Sequence, residues 1–282
     1  MQWQDFRLHK RLNLNPTVIE LIYQTISEID GIKNSWQITK QLLPQTIKRL
    51  TRSVIVTSTG SSNRIEGNRL SDIEVEHLYK DLRVKKFKTR DEQEIAGYLK
   101  CLESVFNNYN NIPISESSIL ALHQDMLIFS ERDVRHKGHY KFGSNRVEAK
   151  DATGNIVGVI FDPTPPYLVK KEMQELIDWY LWASATKVKH PLILIANFIF
   201  EYLAIHPFQD GNGRTSRLLT NLMLLQQGYL FTQIVSHERI IEANKMDYYL
   251  ALNKTQSTWK TASEDITPWL QFFLNIIKSQ ST

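Results

Sequence analysis

Apolar residues run almost unbroken from Pro191 to Ala204 (PLILIANFIFEYLA) and again from Leu218 to Leu225 (LLTNLMLL), and between them lies the polar stretch Ile205 to Arg217, IHPFQDGNGRTSR. This pattern predicts a buried helix, a functional loop and a second buried helix that ends near Gly228. Elsewhere the apolar positions recur at amphipathic helical spacing. Pro16 to Ile29 has Val18, Ile19, Leu21, Ile22, Ile26 and Ile29 in that register, with Asn15 and Pro16 as a start and Asp30-Gly31 as a stop. Pro44 opens a further helix over Gln45 to Val56, which Gly60 weakens or interrupts. Ser71–Leu82 and Ser115–Phe129 each begin with a serine cap. Asp91–Asn107, Tyr167–Trp182, one or two helices within 236–258, and Ile266–Ile277 complete the helical set. Only Ser144–Phe161 alternates as strands do: Val147 and Ala149 point one way, Asp151–Asn155 (DATGN) is rich in turn formers, and Ile156–Phe161 is β-branched up to the Asp162–Pro166 stop. The chain therefore reads as mainly α with one short β-hairpin.

Composition narrows the class. With 282 residues, 42% of them hydrophobic, the chain is one large domain or two small ones. Lys plus Arg number 34 against 30 Asp plus Glu, a net charge of +4 that is too even to argue for nucleic acid. The single Cys101 excludes an intrachain disulfide and suits a reducing compartment. The N-terminus lacks an apolar signal core. The longest apolar stretch is broken by Asn197 and Glu201 and is too short to span a bilayer. A soluble, cytoplasmic protein with no membrane association is expected.

The polar stretch concentrates chemistry. Gly211-Asn212-Gly213 can take positive φ and present consecutive N–H groups as an anion nest. Arg214-Thr215-Ser216-Arg217 reads as a helix start, which favours phosphate. Arg214 and Arg217, three apart, can both reach one ligand with guanidinium forks. Asp210 offers a hard oxygen suited to Mg²⁺ with substrate phosphates. His206 is the loop's base with an unperturbed pKa near neutrality. Singly, each feature has an ordinary structural explanation; thirteen contiguous residues with all of them point to nucleotide phosphoryl or nucleotidyl transfer. A reading of His206 and Asp210 as an i,i+4 metal pair is disfavoured by Pro207 and the glycines. Four further patterns are weaker on spacing alone. Ser62, Glu66 and Gly67 read as a surface helix end, and Tyr249, Leu252 and Gln256 as a core stripe. Arg83–Arg90 (RVKKFKTR) reads as a solvated basic loop rather than a contact for an acidic partner or nucleic acid. Asp133, His136 and His139 are too few for a metal site.

His206 to Arg217 resembles the Fic family signature, HPFx(D/E)GNGRxxR, at every specified position. The resemblance implies a Fic-fold helical bundle that transfers AMP from ATP to a hydroxyl side chain of a target protein, with pyrophosphate leaving. It implies His206 as catalytic base, Asp210 as the Mg²⁺ ligand, and Gly211, Asn212, Gly213, Arg214 and Arg217 as the ATP phosphate site. Ser62 to Gly67 resembles the family's inhibitory motif, (S/T)xxxE(G/N), implying that Glu66 pairs with Arg217 and denies it the γ-phosphate. The hairpin 144–161, approached through Gly138-His139-Tyr140-Lys141, is similar to the flap on which target proteins dock. Tyr249, Leu252 and Gln256 resemble the adenine-pocket wall, where related members often carry Asn at the Gln256 position. The implied organisation is an N-terminal helical region, 1–114, containing the inhibitory segment 45–68, and a catalytic core, 115–282, with no appended winged helix. Removal of AMP, use of another nucleotide, and a catalytically silent nucleotide-binding regulator stay open. So do the target, the activating signal and the oligomeric state, a homo-oligomer included.

Overall fold

The computed structural model describes residues 3–42, 44–82, 87–150 and 156–281. Helix α1 (Arg7–Lys10) follows a 3-10 turn at Trp3–Asp5. Then come α2 (Pro16–Leu42), α3 (Pro44–Ile65), α4 (Asp72–Asp81), α5 (Arg90–Asn108) and α6 (Glu116–Met126). Strands β1 (Val147–Lys150) and β2 (Ile156–Phe161) pair antiparallel. Helices α7 (Pro166–Thr186), α8 (Pro191–Ile205), α9 (Asn212–Gln226), α10 (His237–Ala243), α11 (Lys245–Gln256) and α12 (Thr267–Ser281) follow. The architecture is mainly helical. The turn residues 151–155 and the basic residues 83–86 lie outside the described residues.

Local signals explain most helix starts. Asn15 Oδ1 accepts the Thr17 N–H at 3.0 Å in front of α2. Ser71 and Glu74 form a reciprocal capping box at α4, as Thr89 and Glu92 do at α5. Ser115 caps α6 through the Ser118 N–H. Several expected boundaries are displaced, three of them for a visible reason. Helix α2 continues past Asp30-Gly31 to Leu42: a mid-helix Gly costs about 1 kcal/mol, whereas Trp36, beyond the glycine, packs against the core. Helix α3 passes through Gly60 without interruption, because the missing β-carbon leaves room for the Arg64–Asp72 ion pair. Helix α6 stops at Met126 rather than Phe129, where Ser130 and Asp133 bond each other to turn the chain.

Helix α8 is the axis of the fold, buried from Leu192 to Ile205 and packed against α7, α9 and α12. Its two polar interruptions are anchors. Arg11 donates to Asn197 Oδ1 and to Glu201 Oε2, each at 2.6 Å. Arg7 joins Glu201 and also reaches Glu264 at 2.8 Å, and the Trp259 indole donates to Glu201 at 3.1 Å. Burial alone would raise the Glu201 carboxyl; Arg11 and Arg7 reverse this and hold it at about 2. Among the described residues, no helix is long and apolar enough to cross a membrane.

Candidate functional site

Helix α8 ends in His206, which takes the left-handed conformation (φ 53°, ψ 61°). That geometry costs a residue with a β-carbon roughly 1–2 kcal/mol, so it persists only where the surroundings impose it. His206 Nδ1 lies 3.3 Å from the Leu203 carbonyl oxygen. A carbonyl can only accept, so Nδ1 carries the proton and the Nε2 lone pair is left available. Burial, seconded by the nearby Lys141 charge, pushes the imidazole down to about 4 against the pull of the Leu203 carbonyl. The ring is therefore a neutral base at physiological pH.

The rest of the loop is held from beneath. Phe208 is fully buried, and its ring stacks on His123 with centroids 3.7 Å apart and planes 1° from parallel. His123 Nδ1 accepts the Gly138 N–H at 2.9 Å, so its Nε2 is the protonated nitrogen and donates to the Asp210 carbonyl at 3.0 Å. Asn212 turns its side chain back onto Phe208, accepting the N–H and donating to the carbonyl, both at 2.8 Å. The expected three-residue nest is thus shorter than its sequence. Only Gly211 (φ 80°) has positive φ, while Asn212 and Gly213 already form the first turn of α9. The N–H groups left unpaired there are those that any helix start presents.

The two arginines are held by different partners. Arg214 is buried among Glu94 at 3.4 Å and Asn63 and Asp210, each at 3.5 Å. Arg217 donates from Nε to Ser62 Oγ, and from Nη2 to the Ser62 carbonyl and Glu66 Oε1, all at 2.8 Å. Glu66 is delivered by the end of α3. Gly67 (φ 96°) takes the left-handed position. The Gly67 N–H bonds the Arg64 carbonyl and the Asn68 N–H the Asn63 carbonyl, both at 3.0 Å. This is the Schellman arrangement that terminates a helix sharply.

Asp210 keeps a half-exposed carboxylate. Its Oδ1 accepts the Gly211 N–H at 2.6 Å, and Arg90 Nη2 stands 3.3 Å from Oδ2. Among the described residues no group of three or more His, Cys, Asp or Glu could hold a metal. His136 Nε2 pairs with Asp133 Oδ1 at 2.7 Å, and His139 is exposed.

Glu66, His206 and Gly213 line a cavity of about 420 Å³ together with Tyr249, Leu252 and Gln256. That size accepts a small-molecule ligand. Asn253 shares the α11 wall and was not singled out in the sequence, although it lies one helical turn after Tyr249. His123, Lys141, Asn145, Arg90 and Glu94 were also missed as site residues. No local spacing links them to the loop.

Residues 113–224 match the Fic/DOC family. Protein adenylyltransferase Fic of Nematostella vectensis is 26% identical over 267 residues, 94% of this chain and 56% of the relative. Protein adenylyltransferase fic-1 of Caenorhabditis briggsae is 25% identical over 224 residues, 78% of this chain and 41% of the relative. The chain thus spans about half the length of these curated relatives. A Fic family protein from Desulfovibrio desulfuricans G20 superposes with TM-score 0.74 at 25% identity, covering 95% of this chain and 74% of that one. A Fic domain containing signaling protein from Bacteroides thetaiotaomicron VPI-5482 gives 0.72 at 25% identity, covering 90% and 94%.

Proposed function

The chain carries a Fic/DOC family domain, and on that premise we propose that it is a protein adenylyltransferase, moving AMP from ATP to a Tyr, Thr or Ser hydroxyl of a target protein and restrained by its own Glu66. What supports this reading most is one arrangement. A neutral histidine with its Nε2 lone pair available, Gly213 at the start of α9, and the Glu66 carboxylate that holds Arg217 all line a cavity of about 420 Å³.

In the proposed step His206 Nε2 takes the proton of the target hydroxyl as its oxygen bonds to the α-phosphorus. The bond from the α-phosphorus to the bridging oxygen breaks, and pyrophosphate leaves with the electron pair. General-base help of this kind contributes ~10²–10⁴-fold. The N–H groups of the first α9 turn and the Arg214 guanidinium steady the charge on the phosphates. Arg217 takes the γ-phosphate once Glu66 withdraws. Tyr249, Leu252 and Gln256, with Asn253, receive the adenine.

Asp210 fits Mg²⁺. It is a single half-exposed carboxylate 3.5 Å from the Arg214 guanidinium, and Mg²⁺ takes one or two carboxylates beside substrate phosphates. When bound, the ion neutralises phosphate charge. The target segment is proposed to lie along the strand pair within 144–161 through main-chain hydrogen bonds. The free, buried thiol of Cys101 suits a cytoplasmic setting. A second reading draws on Glu66 and His206 lining the same cavity: Glu66 then orients a water that removes AMP from a modified protein.

ATP labelled separately at the α- and γ-phosphates, with Mg²⁺, tests both readings on wild type, Glu66→Gly and Glu66→Gly/His206→Ala. The expected result is α-label on protein, strong in Glu66→Gly and absent in the double variant. Label from the γ position would refute nucleotidyl transfer. Release of AMP from pre-modified protein by wild type alone would select the second reading.

A further inference from the structure

Four consecutive carbonyl groups of the loop, from Ile205 to Phe208, each accept a hydrogen bond from Lys141 or Asn145, and that of Phe208 accepts one from Asn212 as well. Lys141 Nζ donates to the Ile205 carbonyl at 3.2 Å, and the Lys141 backbone N–H donates to that of Pro207 at 2.8 Å. Asn145 Nδ2 donates to the carbonyls of His206 and Phe208 at 3.2 and 2.8 Å. Lys141 Nζ also donates to Asn145 Oδ1 at 2.7 Å, which fixes which end of the amide faces the loop.

We infer that Lys141 and Asn145 are positioning residues, a clamp that imposes the left-handed backbone of His206 and so aims its Nε2 into the cavity. Three observations carry this. The carbonyls they hold flank and include the one strained residue of the loop, and an unfavourable conformation needs such external bonds to be the only one populated. Lys141 is 4% exposed, and burial lowers its ammonium to about 8; a charge this desolvated needs its acceptors in place. The cation also meets the carbonyl end of α8, where the helix dipole favours it. Because Asn145 stands two residues before β1, the clamp also ties the base to the foot of the strand pair.

The activity arm of the test rests on the proposed AMP transfer; the spectroscopic arm does not. The 282-residue protein carrying ¹⁵N-histidine is compared as wild type, Lys141→Met and Asn145→Ala, with His206→Ala assigning the resonances. The expected wild-type signal for His206 is the Nδ1–H tautomer, and each variant shifts it toward a tautomer mixture. In a Glu66→Gly background the same substitutions lower kcat by about 10²-fold, as a misplaced catalytic group does. KM for ATP and the unfolding midpoint change little, and no further loss of kcat appears once His206→Ala is present. Unchanged His206 nitrogen shifts in both variants would overturn the clamp. So would equal losses with and without His206. If Lys141→Met fails to fold, Asn145→Ala and its conservative partner Asn145→Gln decide, with the larger shift expected for Ala. An inactive Glu66→Gly parent would count against AMP transfer and leave the nitrogen shifts to decide the clamp.

Discussion

Glu66 Oε1 occupies the space that a β-carbon on Gly213 would need. The glycine of the signature and the glutamate of the upstream helix are thus fitted to each other, beyond the ion pair from Glu66 to Arg217 at 2.8 Å. Gly213→Ala should push Glu66 off Arg217 and raise the preference for ATP over ADP, whereas in Glu66→Gly the same change has nothing to displace. Calorimetric titration across the four variants should give a coupling of about 0.5–3 kcal/mol. Additive values would mean that the two residues act separately.

The pH profile should carry the low pKa of His206. The working form is the deprotonated one, and burial moves its pKa from the usual 6.5 down to about 4. For Glu66→Gly, kcat/KM is expected to stay level from pH 8 down to about 5 on the histidine limb and to fall through about 4, since this ratio reports the free enzyme. A fall centred near 6.5 would contradict the neutral, desolvated base.

On the α11 wall, Asn253→Ala and Gln256→Ala should each weaken ATP about tenfold, the worth of one hydrogen bond of about 1–1.5 kcal/mol. Tyr249→Phe should cost little, because its ring is the lining surface. The measurement is KM for ATP against GTP in Glu66→Gly. Equal effects on both nucleotides would place the base elsewhere.

Removing one partner from the Arg7–Arg11–Glu201–Glu264 network leaves a buried charge uncompensated. Arg11→Met should therefore cost about 3–5 kcal/mol, read as a lower urea midpoint with an unchanged slope. A loss below 1 kcal/mol would show that Arg7 alone satisfies Glu201.

The features legible in the sequence were those whose signal is local. The order of chemistry from His206 to Arg217, the serines that cap α4 and α6, and Gly67 as a helix stop all lie within a few residues of what they organise. Helix ends were misplaced where distant packing outbid local preference, as at Gly31 and Gly60. The phosphate nest was overextended because Asn212 resembles a loop residue until its side chain is seen closing onto Phe208. His123 reads as one more polar position on an amphipathic helix; its role exists only because Gly138 and Asp210 bracket it. Glu94 and Arg90 likewise acquire meaning only when α5 is laid against the start of α9.

The buried carboxylate of Glu201 has a consequence for where this protein can be cut. The segment that matches the Fic/DOC family, 113–224, contains Glu201 and Asn197 but neither Arg7 nor Arg11, nor Glu264 and Trp259, which complete the network. Excised at those limits, the axial helix would carry an unneutralised anion one turn before the histidine at its end. The first dozen residues are in this sense a keystone: laid at the edge of the chain, they hold the arch whose centre is His206.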